Sequence, residues 1–202
     1  RKNGIASNLC DIGLVYDYLS DYSTALEYYQ KSLDINTELG NKDGIATIFS
    51  NMGLVYHFLA DYHTALEYYQ KSLAICQELN NIYGIGVRLS NIGLVFDCMA
   101  DYHTALEYYQ KALTICSQIG DQAGIASNYS NIGNVFGSLS NYDKALEYYQ
   151  LALTINKETD SKDVIAVNLG GIGNVYQKLE DYPRALEYMQ QALAINEELG
   201  LK

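Results

Sequence analysis

A thiol and an imidazole together can make a nucleophile, and the chain carries four cysteines (Cys10, Cys76, Cys98, Cys116) and three histidines. His57 and Cys98 fall on the same side of successive copies of a repeated sequence unit, where the imidazole could take the thiol proton. No third group that would orient the imidazole recurs, and no oxyanion site is readable. The pair therefore reads as two side chains of one face and not as a catalytic dyad. His63 and His103 stand where other copies have Ser23, Asp143 and Pro183, a tolerance that marks solvated surface. The run Gly170-Gly171-Ile172-Gly173 has the glycines of a phosphate loop but follows no strand, so nucleotide binding is not expected. No set of His, Cys or carboxylates has metal-ligand spacing. The chain is expected to be no enzyme, with no catalytic residue, cofactor or metal.

The chemistry the sequence does repeat is that of amides and aromatics. Asn51, Asn91 and Asn131 form a row, one per copy, joined by Asn134 and Asn174. A carboxamide both donates and accepts hydrogen bonds. A row of them can hold the backbone of an extended peptide without reading its side chains, or can satisfy polar groups between repeats; both roles are open. Leu14, Leu54 and Leu94, with Tyr18 and Phe58, supply an apolar half to the same face, on which His57 also lies. For the leucines, packing against the next repeat is the competing role.

The elements that must position these residues follow from the period. The phrase D-Y-x-x-A-L-E-Y-Y-Q recurs at Asp21, Asp61 and Asp101, survives from Asn141 to Gln150, and returns at Asp181 with Met189 in the second tyrosine place. Self-similarity at a fixed period implies stacked supersecondary units that cannot bury their apolar faces alone. The expected array covers 1–202 as a single domain, with repeats at 1–40, 41–80, 81–120, 121–160 and 161–200. In the second copy, Ile45, Phe49, Met52, Gly53, Tyr56 and Leu59 fall three and four apart, the spacing of an amphipathic helix. Asn41 can cap it, as can Asn81, Asp121 and Ser161 in later copies. Asp61 can cap a second helix carrying Ala65, Leu66, Tyr69, Leu73 and Ile75. Gly40, Gly120 and Gly200 sit where a left-handed C-terminal cap is wanted, with Asn80 and Asp160 in the same place. The short link between the two helices makes them antiparallel.

Glycines at 13, 53, 93, 133 and 173 lie in mid-helix, where each costs about 1 kcal/mol relative to alanine. Close approach of a neighbouring helix is the expected reason, with Ala25, Ala65, Ala105, Ala145 and Ala185 as the matching small residues. The pattern L-x-x-I-G-x-x-Y followed by D-Y-x-x-A-L-E-Y-Y-Q-K-A-L resembles the tetratricopeptide repeat. The usual form has 34 residues and a proline after its second helix. Here the period is 40, and Thr37, Gln77, Ser117, Lys157 and Glu197 fill the proline place. The resemblance covers essentially the whole chain. It implies an all-α, right-handed α-solenoid of five antiparallel helix-turn-helix repeats, with the stripe of Asn and Leu residues lining a concave groove that grips peptides. The longer variety resembles repeats in signalling scaffolds and bacterial multidomain proteins.

Bulk properties narrow the partner. The formal charge is −11, which opposes both nucleic-acid phosphates and anionic membranes and leaves a neutral or basic protein segment. No apolar run approaches the roughly 20 residues that span a bilayer. Scattered cysteines suggest free thiols in a reducing compartment, the cytoplasm. The first residues, Arg-Lys-Asn-Gly, are no signal peptide; they lack an initiator Met and coincide with a repeat boundary, as expected of a piece of a larger protein. The expected function is a protein-interaction scaffold binding an extended segment in its groove. A regulatory module controlling an effector domain elsewhere is a rival, and so is self-association, since repeats 1 and 5 keep the internal apolar pattern.

Overall fold

The computed structural model describes residues 2–200, which form ten helices and no strand. The chain divides into two compact units, 1–99 and 100–202. Unit 1 holds α1 (Lys2–Tyr18), α2 (Tyr22–Leu39), α3 (Lys42–Phe58), α4 (Tyr62–Glu78) and α5 (Ile82–Cys98). Unit 2 holds α6 (Tyr102–Ile119), α7 (Gln122–Ser138), α8 (Tyr142–Glu158), α9 (Lys162–Lys178) and α10 (Tyr182–Glu198). Within each unit, successive helices pack as hairpins, α1 on α2 and α3 on α4, α7 on α8 and α9 on α10. Odd-numbered helices are the first of a repeat and even-numbered ones the second.

Each second helix starts on an acceptor that satisfies an orphan amide. Asp21, Asp61, Asp101, Asn141 and Asp181 accept from the backbone N–H three residues on. Asn41, Asn81 and Asp121 do the same for α3, α5 and α7. Ser161 does not, contrary to expectation; its hydroxyl pairs instead with Thr159 Oγ1 at 3.0 Å. The difference lies three residues along. Gly44, Gly84 and Gly124 leave room for the cap, whose side-chain atoms would lie 2.3–3.0 Å from a Cβ there or beside an equally close neighbour, whereas repeat 5 has Val164.

The mid-helix glycines make way for a ring. An added Cβ would sit 2.7 Å from the Tyr29 ring at Gly13, 2.9 Å from Tyr69 at Gly53 and 3.0 Å from Tyr149 at Gly133. The close approach of a neighbouring helix takes the form, at these three positions, of glycine against the tyrosine ring of the second helix. At Gly173, opposite Met189, a backbone atom is also close, Ala185 O at 3.3 Å. The rings gain burial: Tyr29 and Tyr69 are almost fully enclosed. Removing about 150–250 Å² per tyrosine from water at roughly 25 cal/mol/Å² gives a gross gain of about 4–6 kcal/mol, which exceeds the glycine cost. The other tyrosine of each pair stacks outward on the first helix, Tyr28 on Tyr16 and Tyr68 on Tyr56 at 5.6 and 5.4 Å.

Hydroxyls lock the hairpins in unit 1. Ser32 Oγ donates to Ala6 O at 2.7 Å, and Ser72 Oγ donates to Ala46 O at 2.6 Å. Both serines are fully buried, so each bond also prevents an unsatisfied polar group. The first-to-second helix turns contain left-handed residues that are not glycine: Ser20, Ala60, Ala100, Ser140 and Glu180, with φ between 57° and 59°. The amides at Ser20 and Asp21 close back on Asp17 O and Tyr16 O, the paired bonds of a Schellman turn.

Candidate functional site: the first-helix faces

In unit 1 the face of α1 and α3 holds a cavity of about 360 Å³ walled by Leu14, Asp17, Tyr18, Tyr22, Leu54 and Phe58. In unit 2 the face of α7 and α9 holds one of about 300 Å³ walled by Asn134, Gly137, Ser138, Tyr142, Asn174 and Lys178, among others. These walls correspond position by position: Leu14 to Asn134, Asp17 to Gly137, Tyr18 to Ser138, Tyr22 to Tyr142, Leu54 to Asn174 and Phe58 to Lys178. One backbone frame therefore presents two pockets of different chemistry. The first is apolar, aromatic and acidic; the second is amide-lined and basic.

The second pocket owes its floor to two glycines. Gly171 stands where other copies have Asp11, Asn51, Asn91 and Asn131, and a Cβ there would lie 2.7 Å from the Tyr149 ring. Gly137 faces open space. Tyr149 Oη donates to Asn134 Oδ1 at 2.6 Å, which fixes the amide with its NH₂ free of that bond. Asn134 and Asn174 are both exposed.

The first pocket is differently satisfied. Tyr22 and Phe58 stack at 6.0 Å with their planes 16° apart. Tyr18 stands 86% exposed at the rim. Leu14 lines the cavity and also packs on the core around Tyr29. Neither Asp17 Oδ1 nor Tyr29 Oη reaches solvent or a hydrogen-bond partner. Burial pushes the Asp17 carboxyl above its ordinary range, and burial, with the Asp17 charge next, pushes the Tyr29 phenol up.

The remaining stripe residues are spread along the same faces. Asn51, Asn91, Asn131 and Leu94 are half-buried. Asn51 Nδ2 lies 3.5 Å from Cys10 Sγ, so this amide joins α1 to α3. A comparable link in unit 2 comes from Ser130 Oγ, which donates to Asn168 Oδ1 at 2.7 Å. A second hollow on the first-helix side of unit 1, about 260 Å³, includes Ser7, Cys10, Asp11 and Thr47. A hollow of about 630 Å³ lies in unit 2 against the second helices α6 and α8 and contains no stripe residue.

His57 and Cys98 are not arranged as a nucleophile. The imidazole packs on Phe58 and Tyr62, at 5.8 and 5.9 Å, with Nδ1 enclosed and unpartnered. Burial pushes its pKa down, while burial pushes the Cys98 thiol up and a hydrogen bond with Tyr62 only partly offsets that. A neutral imidazole and a protonated thiol are the opposite of an ion-paired dyad. The four cysteines form no disulfide. Among the described residues no group of three or more His, Cys, Asp or Glu is placed to hold a metal, and no helix is long and apolar enough to cross a membrane.

Tyr22, Gly137 and Tyr149 are the residues that sequence reasoning left outside the site. The signal was available in the register: position 17 of a repeat is Asp, His, Asp, Gly and Gln across the five copies, and position 18 is Tyr, Phe, Cys, Ser and Lys, a variability unlike the second-helix motif.

Comparison with known proteins gives a consistent family. No curated protein matches the chain. Among solved structures, BtubC from P. vanneervenii superposes with a TM-score of 0.83 at 20% identity, covering 99% of this chain and 83% of that one. A Rap protein complexed with Competence and Sporulation Factor gives 0.84 at 18%, covering 94% of this chain and 53% of that one. PH0952 from Pyrococcus horikoshii, a Signal Transduction ATPase with Numerous Domains with a tetratricopeptide repeat sensor, gives 0.79 at 18%, covering 100% and 34%. At these identities the likeness is one of fold. The tetratricopeptide-repeat patterns match residues 6–38, 44–118, 86–158 and 124–198, and with the glycine–tyrosine hairpins in place the chain belongs to the tetratricopeptide-repeat family.

Proposed function

We propose that this chain is a protein-interaction scaffold whose first-helix faces hold an extended, neutral-to-basic peptide segment of a partner. The observation that carries the reading is the pair of register-matched pockets, which vary in chemistry while the frame around them repeats. Side chains that only packed repeats together would have no reason to differ so sharply at equivalent positions. Leu14, Leu54, Tyr18 and Phe58 suit apolar side chains, whereas Asn134 and Asn174 suit backbone amides and carbonyls. The likeness to the Rap conjugation gene regulator of the plasmid pLS20, solved in complex with the Phr* peptide, supports a peptide as ligand.

A regulatory role is the second reading, favoured by the likeness to a chain with a tetratricopeptide repeat sensor, of which this fold spans about a third. Both readings put the ligand on the same faces.

The test is a pull-down comparing the chain with its Asn91→Ala, Asn131→Ala, Asn134→Ala triple variant. Proteins retained by the parent and lost by the variant, with helicity unchanged, are the expected result. Equal recovery by both would move binding off the asparagine row. Recovery of the chain alone would favour self-association, for which the α1 face is suited: Val15 is 56% exposed, while Val55, Val95 and Val135 at the same register are enclosed.

A further inference from the structure

The unit 1 pocket holds a carboxylate, Asp17, that no described cation of its unit pairs with. Asp17 Oδ1 is shut from solvent without a donor, and the neighbouring Tyr29 Oη is in the same condition. Leaving one buried polar group unpaired costs about 1–3 kcal/mol, and more for a charged one. Every described cation of unit 1 is engaged elsewhere. Lys2 pairs with Glu38 and Lys42 with Glu78, Lys31 and Lys71 lie over the Tyr28 and Tyr68 rings, and Arg88 Nε donates to Ser72 Oγ. The carboxylate sits in the wall of a cavity of about 360 Å³, room for roughly a dozen waters at about 30 Å³ each, and the other walls are largely aromatic.

We propose that this pocket anchors one arginine side chain of the bound peptide. A guanidinium is planar, stacks on aromatic faces and carries five donors in a rigid fork. Tyr18, Tyr22 and Phe58 provide such faces, and the Asp17 carboxylate stands in the same wall. A lysine ammonium would meet the carboxylate and could sit over a ring, but only a guanidinium combines planar stacking with a fork of donors. The matching pocket of unit 2 excludes the same ligand, because Gly137 replaces the carboxylate and Lys178 replaces Phe58. The array thus discriminates between two pockets of one frame, and a peptide's single basic side chain selects unit 1.

The inference rests on the peptide-binding reading, and a small probe separates their failures. Acetyl-arginine amide and acetyl-citrulline amide, nearly equal in shape but differing in charge, are titrated into the full chain and followed by ¹H–¹⁵N NMR. Arginine is expected to shift resonances of Asp17, Tyr18, Tyr22 and Phe58, with citrulline at least five-fold weaker. Asp17→Asn should reduce arginine to the citrulline level, and Phe58→Leu should weaken arginine several-fold, which guards against misfolding of either single variant. Equal binding of the two probes, equal shifts around Lys178, or retained preference in Asp17→Asn would each overturn the arginine anchor. The peptide-binding reading would still stand on partner loss in the asparagine variant.

Discussion

Tyr149 donates its hydroxyl to Asn134, while at the equivalent place in unit 1 Leu14 stands where Asn134 would be and Tyr29 has no acceptor. The same buried ring is thus a satisfied phenol in one copy and an unsatisfied one in another. Tyr149→Phe should lose about 1 kcal/mol of stability, the net worth of one hydrogen bond. Tyr29→Phe, which removes an unpaired buried hydroxyl, should be neutral or stabilising. Guanidinium unfolding of the two variants side by side checks the contrast, and equal losses would refute it.

Glycines of one helix type should respond oppositely to alanine. At Gly53 a methyl would stand 2.9 Å from Tyr69, an overpacking that costs about 1–3 kcal/mol against about 1 gained in helix propensity. A net loss of up to about 2 kcal/mol is expected. At Gly137 nothing lies within 4 Å, so Gly137→Ala should gain about 1 kcal/mol. Thermal unfolding distinguishes the two directions.

The turns between first and second helices hold left-handed residues with side chains. Ala60 has φ 57° and Glu180 φ 59°. Ala60→Gly and Glu180→Gly should stabilise by a few tenths to about 1 kcal/mol, since the strain removed slightly exceeds glycine's entropy loss. Gly40→Ala, at φ 65°, should go the other way by about 1 kcal/mol.

Titration of Asp17 and His57 should tilt stability in opposite senses. Burial raises the folded-state pKa of Asp17, so the folded chain keeps that proton to higher pH than the unfolded chain. Stability from this residue is therefore present at low pH and falls as the pH rises from about 3.9 through the raised value. Asp17→Asn should melt with the parent below about pH 3 and above it at pH 7. Burial lowers the pKa of His57, so its contribution is present above about pH 6.5 and lost as the pH falls through that value toward the depressed one. His57→Gln should flatten the profile between about pH 7 and pH 5. An unchanged profile in either variant would contradict the assignment.

Periodicity made the helices legible. Apolar spacing placed each helix, Asp61 and its counterparts marked the second-helix starts, and Gly40 and Gly120 marked left-handed ends, because each of these signals acts within a few residues of chain. Left-handed Ala60 was not legible, since no local preference of alanine asks for it; the closure of the hairpin imposes it. The failed cap at Ser161 was half-legible, in Val164, but only the approach of the preceding helix explains why a glycine is needed there. In the site, Leu14, Leu54, Tyr18, Phe58, Asn134 and Asn174 were placed on one face by their spacing, and the structure sets them in two pockets. Asn51 was on that face too, yet its amide is turned to Cys10, a contact between residues that spacing alone does not pair.

By itself the sequence determined the repeat, the helical hairpins, the family and the face on which polar and apolar residues collect, because all of these follow from spacing along the chain. Only the tertiary structure decided what each glycine is for, which amides are committed to neighbouring repeats, and that Asp17 and Tyr29 end with no partner. Those outcomes depend on which side chains helices from different repeats bring within a few ångströms, and hydrogen bonding and ring packing are sensitive at that range while sequence period is not.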